Sequence, residues 1–459
     1  MLYSSWTFFA FFLMFFPLHA LLRKTRVGMA WFLAASYVFY GWWNPLYLFL
    51  LAYVTLVDYF MGRLMDRAPD RNRLWVTISV CNALLMLGFF KYGPFVTDNL
   101  NLALTSLGLP FQLPFPNWAL PVGISFFSFQ SLTYTIDRYR GRVDTEKNLI
   151  RYATFVAMFP QLLAGPIERA GRMLPQLKKG AEITREGVAE GASLFVLGLF
   201  KKLALANYLA LYADKGFTAP DRFDGGTLLL AVFAYTWQIY FDFSGYSDMA
   251  RGVARVCGYR LMLNFNHPYL ASGLGDFWNR WHISLSTWFK DYLYIPLGGN
   301  RRGPVRMYFN IFITMVVSGL WHGAAWTFLI WGALHAAGRF LTKGLEETSW
   351  YQSRVPKAVK QAWTFGFVML TWTFFRATTF ADAWLIVRRI FAAPWSRPDF
   401  PGVALAGLLL LWTYQFLYES RARRWLEWAP VRVAGMLLML LTLTFLVTSG
   451  GQAFIYFQF

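Results

Sequence analysis

Uncharged apolar runs long enough to cross a bilayer recur along this chain, from Trp6 to Leu22 near its start to Met436 to Val447 near its end. A helix needs about 20 residues to span the hydrocarbon, and only segments that satisfy their backbone groups internally survive there. The chain is therefore read as all-α and integral to a membrane, a single multi-pass domain over residues 1–459. Composition agrees, because 15% of residues are charged, whereas a soluble domain carries roughly a quarter. No large soluble domain fits between the runs.

The net charge of +19 sits in short clusters between apolar runs, where basic residues set topology and meet anionic lipid headgroups. Nucleic acid is set aside as a partner on that ground. Cys81 and Cys257 match no metal or redox spacing and read as small core residues, so no metal site is expected. The run Trp6 to Leu22 precedes Arg23, Lys24 and Arg26, the reverse of a signal peptide's order, and is expected to stay as the first crossing.

Counting Lys and Arg in the short loops orients the chain. The clusters Arg23-Lys24-Arg26, Arg63 to Arg73, Arg138 to Lys147, Arg169 to Arg185 and Arg421 to Arg424 belong inside, whereas Pro94 to Leu120 has no Lys or Arg and belongs outside. The run Tyr152 to Ala164 is too short to cross and ends in Gly-Pro, which predicts a re-entrant hairpin. Leu228 to Phe243 bring the chain back in, and Ser244 to Arg306 contain no clean span. The pair Tyr308 to Leu320 and Ala324 to Leu341 is broken at Trp321-His322-Gly323. Parity places both termini on the extracytoplasmic side, with about twelve crossings in all.

Five histidines occur. His19 and His335 lie in apolar runs without polar company and read as core residues, and nothing singles out His267. His322 lies beside Gly319 and Gly323, which permit a helix break and close backbone approach at membrane depth, and an ionisable group there is costly enough to suggest function. A satisfied structural histidine is the alternative. His282 lies in Phe277-Trp278-Asn279-Arg280-Trp281-His282-Ile283-Ser284, polar groups set among indoles, which also suit an interfacial anchor. Neither a nucleophile elbow nor a zinc or phosphate-loop motif is present. The turn Gly298-Gly299-Asn300-Arg301-Arg302 on the inner side suits phosphates, of a soluble donor or of lipid.

Trp281-His282-Ile283-Ser284-Leu285-Ser286-Thr287-Trp288, Asp291-Tyr292-Leu293-Tyr294-Ile295-Pro296-Leu297-Gly298-Gly299-Asn300 and Gly319-Leu320-Trp321-His322-Gly323 resemble the hallmark blocks of the membrane-bound O-acyltransferase (MBOAT) family. Phe159 to Ile167 and Tyr240 to Ala250 resemble its bacterial branch, which acylates alginate and teichoic acids. The resemblance implies a funnel-shaped helical enzyme of the bacterial inner membrane that takes acetyl from cytoplasmic acetyl-CoA, a donor substrate and not a bound cofactor, for O-acetylation of an exported polysaccharide such as alginate. It places the family's two histidines on His282 and His322, the latter the one held essential. It implies a separate extracytoplasmic hydrolase-like (SGNH) partner. Asn279, Arg280, Lys290, Asn300, Arg301 and Arg302 are the candidates for holding the donor. Other donors or acceptors (peptidoglycan, cellulose, lipid) and a polymer transporter remain open.

The chain closes on Gly450-Gly451-Gln452-Ala453-Phe454-Ile455-Tyr456-Phe457-Gln458-Phe459. Residues alone suit an aromatic belt at the outer interface. In the family a short C-terminal aromatic motif with a tyrosine is held to relay the acyl group, which makes Tyr456 the relay candidate. A phenol with a pKa of about 10 is a leaving group not far from a thiol at about 8.5, so its acetyl ester keeps much of the thioester's transfer potential.

Overall fold

The computed structural model describes residues 1–115, 118–392, 395, 400–445 and 454. Among them every regular element is a helix. Among the described residues four helices are long and apolar enough to cross a membrane: Tyr47–Arg67, Pro69–Ser106, Arg185–Thr218 and Gly303–His322. Trp6–Leu22, Ala404–Tyr418 and Ala429–Phe445 are shorter apolar helices. The Pro69–Ser106 helix passes through a wide π turn at Gly88–Tyr92, and Arg185–Thr218 through another at Phe200–Ala206. Such turns hold an extra residue within an α-helix and recur at functional positions.

The chain divides into two compact units, Met1–Phe195 with Tyr246–Met262, and Val196–Gly245 with Leu263–Phe459. In the first, the expected re-entrant segment is two short helices, Leu149–Ala157 and Phe159–Leu162, separated at Met158. Its break is covered by protein, as broken backbone in a membrane requires. Phe159 inserts among Phe11, Phe15, Phe32 and Phe39, with ring centres 5.4, 5.2, 5.5 and 5.3 Å away. The Tyr3 hydroxyl donates to the carbonyls of Phe159 and Pro160 at 3.1 and 2.9 Å, and Gln161 Nε2 to that of Phe155 at 2.9 Å. These side chains satisfy carbonyls that the interrupted helix leaves open.

Two readings of the sequence change here. His19 has polar company after all, since its Nε2 lies 2.9 Å from the Cys257 carbonyl oxygen. Cys257 is buried as expected, but Cys81 is exposed on its helix, because an apolar run that crosses lipid also carries small residues on its outer side.

The helix Gly225–Val256 is 32 residues long and carries on well past Phe243, where a span was expected to end. Hydropathy fails there because Asp242, Ser244, Ser247 and Asp248 are polar yet buried. In the second unit the core gathers the large rings Trp237, Tyr269, Trp281, Trp331 and Trp372. Within it Gly303–His322 and Trp326–Glu346 form a close antiparallel hairpin. A Cβ on Gly319 would lie 2.2 Å from the Phe328 carbonyl oxygen, and one on Gly332 would lie 2.3 Å from that of Met315. The two backbones approach so closely that only glycine fits at both points, the small-residue packing of membrane helices.

Candidate active site

His322 is the last residue of the Gly303–His322 helix, and the chain turns extended at Gly323. The break falls at 323–325, just after the expected one. The ring is buried, edge-on to Trp331 at 5.4 Å and Phe375 at 5.2 Å. His335, one turn beyond Trp331, is not isolated, since its Nε2 lies 3.1 Å from Thr371 Oγ1.

His282 is fully buried and precedes the short helix Ile283–Phe289 in a left-handed conformation, φ 42° and ψ 54°. Such backbone costs a residue with a Cβ on the order of 1–3 kcal/mol and persists where surroundings enforce it. Asn264 supplies that enforcement. Its carbonyl oxygen accepts from Ile283 N at 2.9 Å, and its side-chain Oδ1 accepts from Ser284 N at 3.2 Å and Ser284 Oγ at 2.9 Å. His282 Nδ1 lies 3.1 Å from the same Oδ1. The Ser284 backbone N–H is an unambiguous donor, so it fixes which amide atom is oxygen, and Nδ1 facing that oxygen carries the proton. In the neutral ring Nε2 is then the basic nitrogen. Asn264 was missed by sequence reading, since nothing local marks a partner 18 residues upstream.

The structure brings the two candidates together, with ring centres 6.4 Å apart. Trp321 stands edge-on to His322 at 5.0 Å and lies 6.0 Å from His282. Phe243 stands edge-on to His282 at 4.7 Å. Phe454 is buried, and its ring centre lies 6.1 Å from that of Phe243. Tyr456, with Gly450 and Gly451, lies outside the described residues.

The donor candidates are spread around the same unit. Asn279 and Lys290 are exposed, as are Asn300, Arg301 and Arg302 in the turn after Gly299. Asn310 Nδ2 donates to the Gly299 carbonyl at 2.9 Å and anchors that turn, in which Gly298 and Gly299 both have positive φ. Arg280 is committed elsewhere. It pairs with Asp276 at 2.7 Å and also with Glu419. A buried ion pair that sequence reading did not single out joins Lys202 Nζ, in the π turn at Phe200–Ala206, to Asp242 Oδ1 at 2.6 Å. Among the described residues no group of His, Cys, Asp and Glu could hold a metal.

A helical membrane protein with two neighbouring buried imidazoles, one at a break between paired helices, is the class this arrangement defines. Residues 115–384 match the MBOAT, membrane-bound O-acyltransferase, family. The chain is 42% identical over 434 residues to a probable alginate O-acetylase of Azotobacter vinelandii, covering 92% of this chain and 85% of that one. It is 36% identical to a peptidoglycan O-acetyltransferase of Helicobacter pylori, covering 82% and 76%. A teichoic acid D-alanyltransferase of Bacillus subtilis is 30% identical over 47% of this chain and 57% of its own. The chain belongs to the membrane-bound O-acyltransferase family, and it is a multi-pass membrane O-acyltransferase.

Proposed function

We propose that this protein transfers acetyl from cytoplasmic acetyl-CoA, by way of a tyrosine ester on its own C-terminal tail, toward an exported polysaccharide. The paired histidines carry the reading, together with the docking of Phe454 one ring away from His282. Phe454 precedes Tyr456 by two residues. Alginate is the favoured acceptor, supported by the A. vinelandii relative, and peptidoglycan the alternative, supported by the H. pylori relative.

In the proposed step His322 removes the phenolic proton of Tyr456 as its oxygen attacks the thioester carbonyl. The C–S bond breaks, and the departing thiolate takes that proton to leave as a thiol. His282, with Nδ1 committed to Asn264, offers Nε2 to the same chemistry. The ester then passes its acetyl to a hydroxyl delivered by a separate hydrolase-like partner, and the phenol regains its proton. Asn279, Lys290, Asn300, Arg301 and Arg302 hold the donor's phosphates, with Arg280 shaping the surface through its two carboxylates. The protein crosses the inner membrane about twelve times, counting shorter and more polar helices, with both termini outside.

The test is incubation of purified protein with labelled acetyl-CoA followed by mass mapping of the C-terminal peptide. Label on Tyr456 that disappears in Tyr456→Phe and in His322→Ala is the expected result. Label that persists in Tyr456→Phe overturns the relay, and full transfer by His322→Ala overturns the catalytic assignment. Substrate flux in proteoliposomes without thioester consumption would replace the reading with transport.

A further inference from the structure

A cavity of about 1000 Å³ opens within the first unit, and all its lining residues belong to that unit. Six cations line it, Arg23, Lys24, Arg26, Arg151, Lys178 and Lys179, against a single carboxylate, Glu182. That carboxylate is already spoken for. Lys179 lies 2.5 Å from it and, chiefly through their hydrogen bond, holds its pKa below the usual carboxylate range. Arg151 is paired with Glu146 at 2.8 Å. Arg23, Lys24, Arg26 and Lys178 have no acidic partner among the described residues.

Helix ends add to this field. Three helices begin at the cavity wall. Gly28–Gly41 starts there without a side-chain cap. Leu149–Ala157 is capped by Asn148, and the Arg185–Leu199 helix by Thr184, whose hydroxyl accepts from Gly187 N at 3.0 Å. Each start presents the positive end of its dipole. The helices Trp6–Leu22 and Ala170–Lys179 end at the same wall, but Arg23, Lys178 and Lys179 stand at those ends and offset the negative poles. Met29, Leu177 and Tyr259 supply apolar or aromatic surface beside the charges.

Four uncompensated cations facing one space repel one another, and a ligand carrying two or more negative charges would offset that repulsion. One carboxylate would leave most of that repulsion in place. Phosphate esters match both the charge and the forked geometry of the arginines. We infer that this cavity is a binding site for a phosphate-bearing ligand, supplied either by an anionic phospholipid headgroup or by a soluble nucleotide. The inference concerns binding alone and does not depend on the acyl-transfer chemistry at His322.

The experiment compares the wild-type full-length protein with Lys24→Gln/Lys178→Gln, which keeps Arg23 and Arg26 as orienting charges. Both proteins are taken through two arms. In detergent, free coenzyme A binding is measured by equilibrium dialysis at low and high salt, with Arg301→Gln/Arg302→Gln added to both proteins so that the proposed donor turn does not contribute. In nanodiscs of phosphatidylglycerol and phosphatidylcholine, retained phosphatidylglycerol is counted by native mass spectrometry. A loss of at least about tenfold in coenzyme A binding, with wild-type binding that weakens as salt rises, identifies the nucleotide source. Loss of retained phosphatidylglycerol identifies the lipid source. If the variant melts with the wild type and binds both probes as well as the wild type does, the inference is overturned.

Discussion

Replacing Asn264 by leucine tests the construction of the His282 site. One oxygen, Asn264 Oδ1, receives Ser284 N, Ser284 Oγ and His282 Nδ1 in a region with no access to solvent. The serine hydroxyl can rotate to another acceptor, but the two N–H groups are fixed by the backbone and by the ring. A buried donor stripped of its acceptor costs about 1–3 kcal/mol, so Asn264→Leu should destabilise the protein by about 3 kcal/mol or more. The left-handed backbone at His282 would keep the Ile283 N bond to the residue 264 carbonyl but lose the side-chain contacts that help enforce it, and acyl transfer should fall with stability. Asn264→Asp keeps an oxygen in place for all three donors and should recover most of the folding loss. The assay is unfolding in mixed micelles at rising denaturing-detergent fraction, alongside thioester consumption. A leucine variant that unfolds with the wild type and transfers acetyl at the same rate would refute the reasoning.

Alanine at Gly319 or Gly332 places a methyl group against the facing backbone, which cannot swing away as a side chain does. Each substitution should cost about 1–3 kcal/mol and lower transfer, because His322 lies three residues beyond Gly319; unchanged turnover and stability would count against the hairpin's positioning role. Glu168, buried in the loop before the Ala170–Lys179 helix, has its pKa raised from 4.5 to about 7, by burial foremost. Its protonated form is favoured on folding, so its stabilising contribution is full below about pH 4.5 and is lost as pH rises to about 7, roughly 3 kcal/mol in all. Melting curves between pH 4.5 and 8 should therefore fall more steeply for wild type than for Glu168→Gln, and parallel curves would contradict this. Lys202→Met should destabilise by about 3–5 kcal/mol by breaking a buried ion pair from one side, whereas Lys202→Met/Asp242→Leu should recover most of that loss in the same unfolding assay.

The two histidines and the helix break were legible because their signals are local: glycines flank His322, and polar residues crowd His282 among tryptophans. The short Tyr152 to Ala164 run announced itself by length. Other features depend on which way a side chain faces. The helix Gly225–Val256 runs past Phe243 because Asp242, Ser244 and Ser247 turn into protein, and a hydropathy window cannot distinguish that from a loop. Asn264 and Lys202 each acquire a role through a partner distant in sequence, His282 and Asp242. Arg280, a candidate for holding the donor, also pairs with Asp276 and Glu419 through contacts that no local pattern announces. Motif identity names the residue, and only packing tells whether its charge is still available.

The wide turn at Phe200–Ala206 gives the Arg185–Thr218 helix an adjustable phase. Each residue of an α-helix advances the side-chain direction by about 100°. The inserted residue therefore sets the angle between the face used before the turn and the face that buries Leu209, Ala213 and Phe217 after it. Deleting one residue there would leave the rod continuous while turning its two halves out of phase, so this helix can lose its fit to its neighbours without losing a single turn.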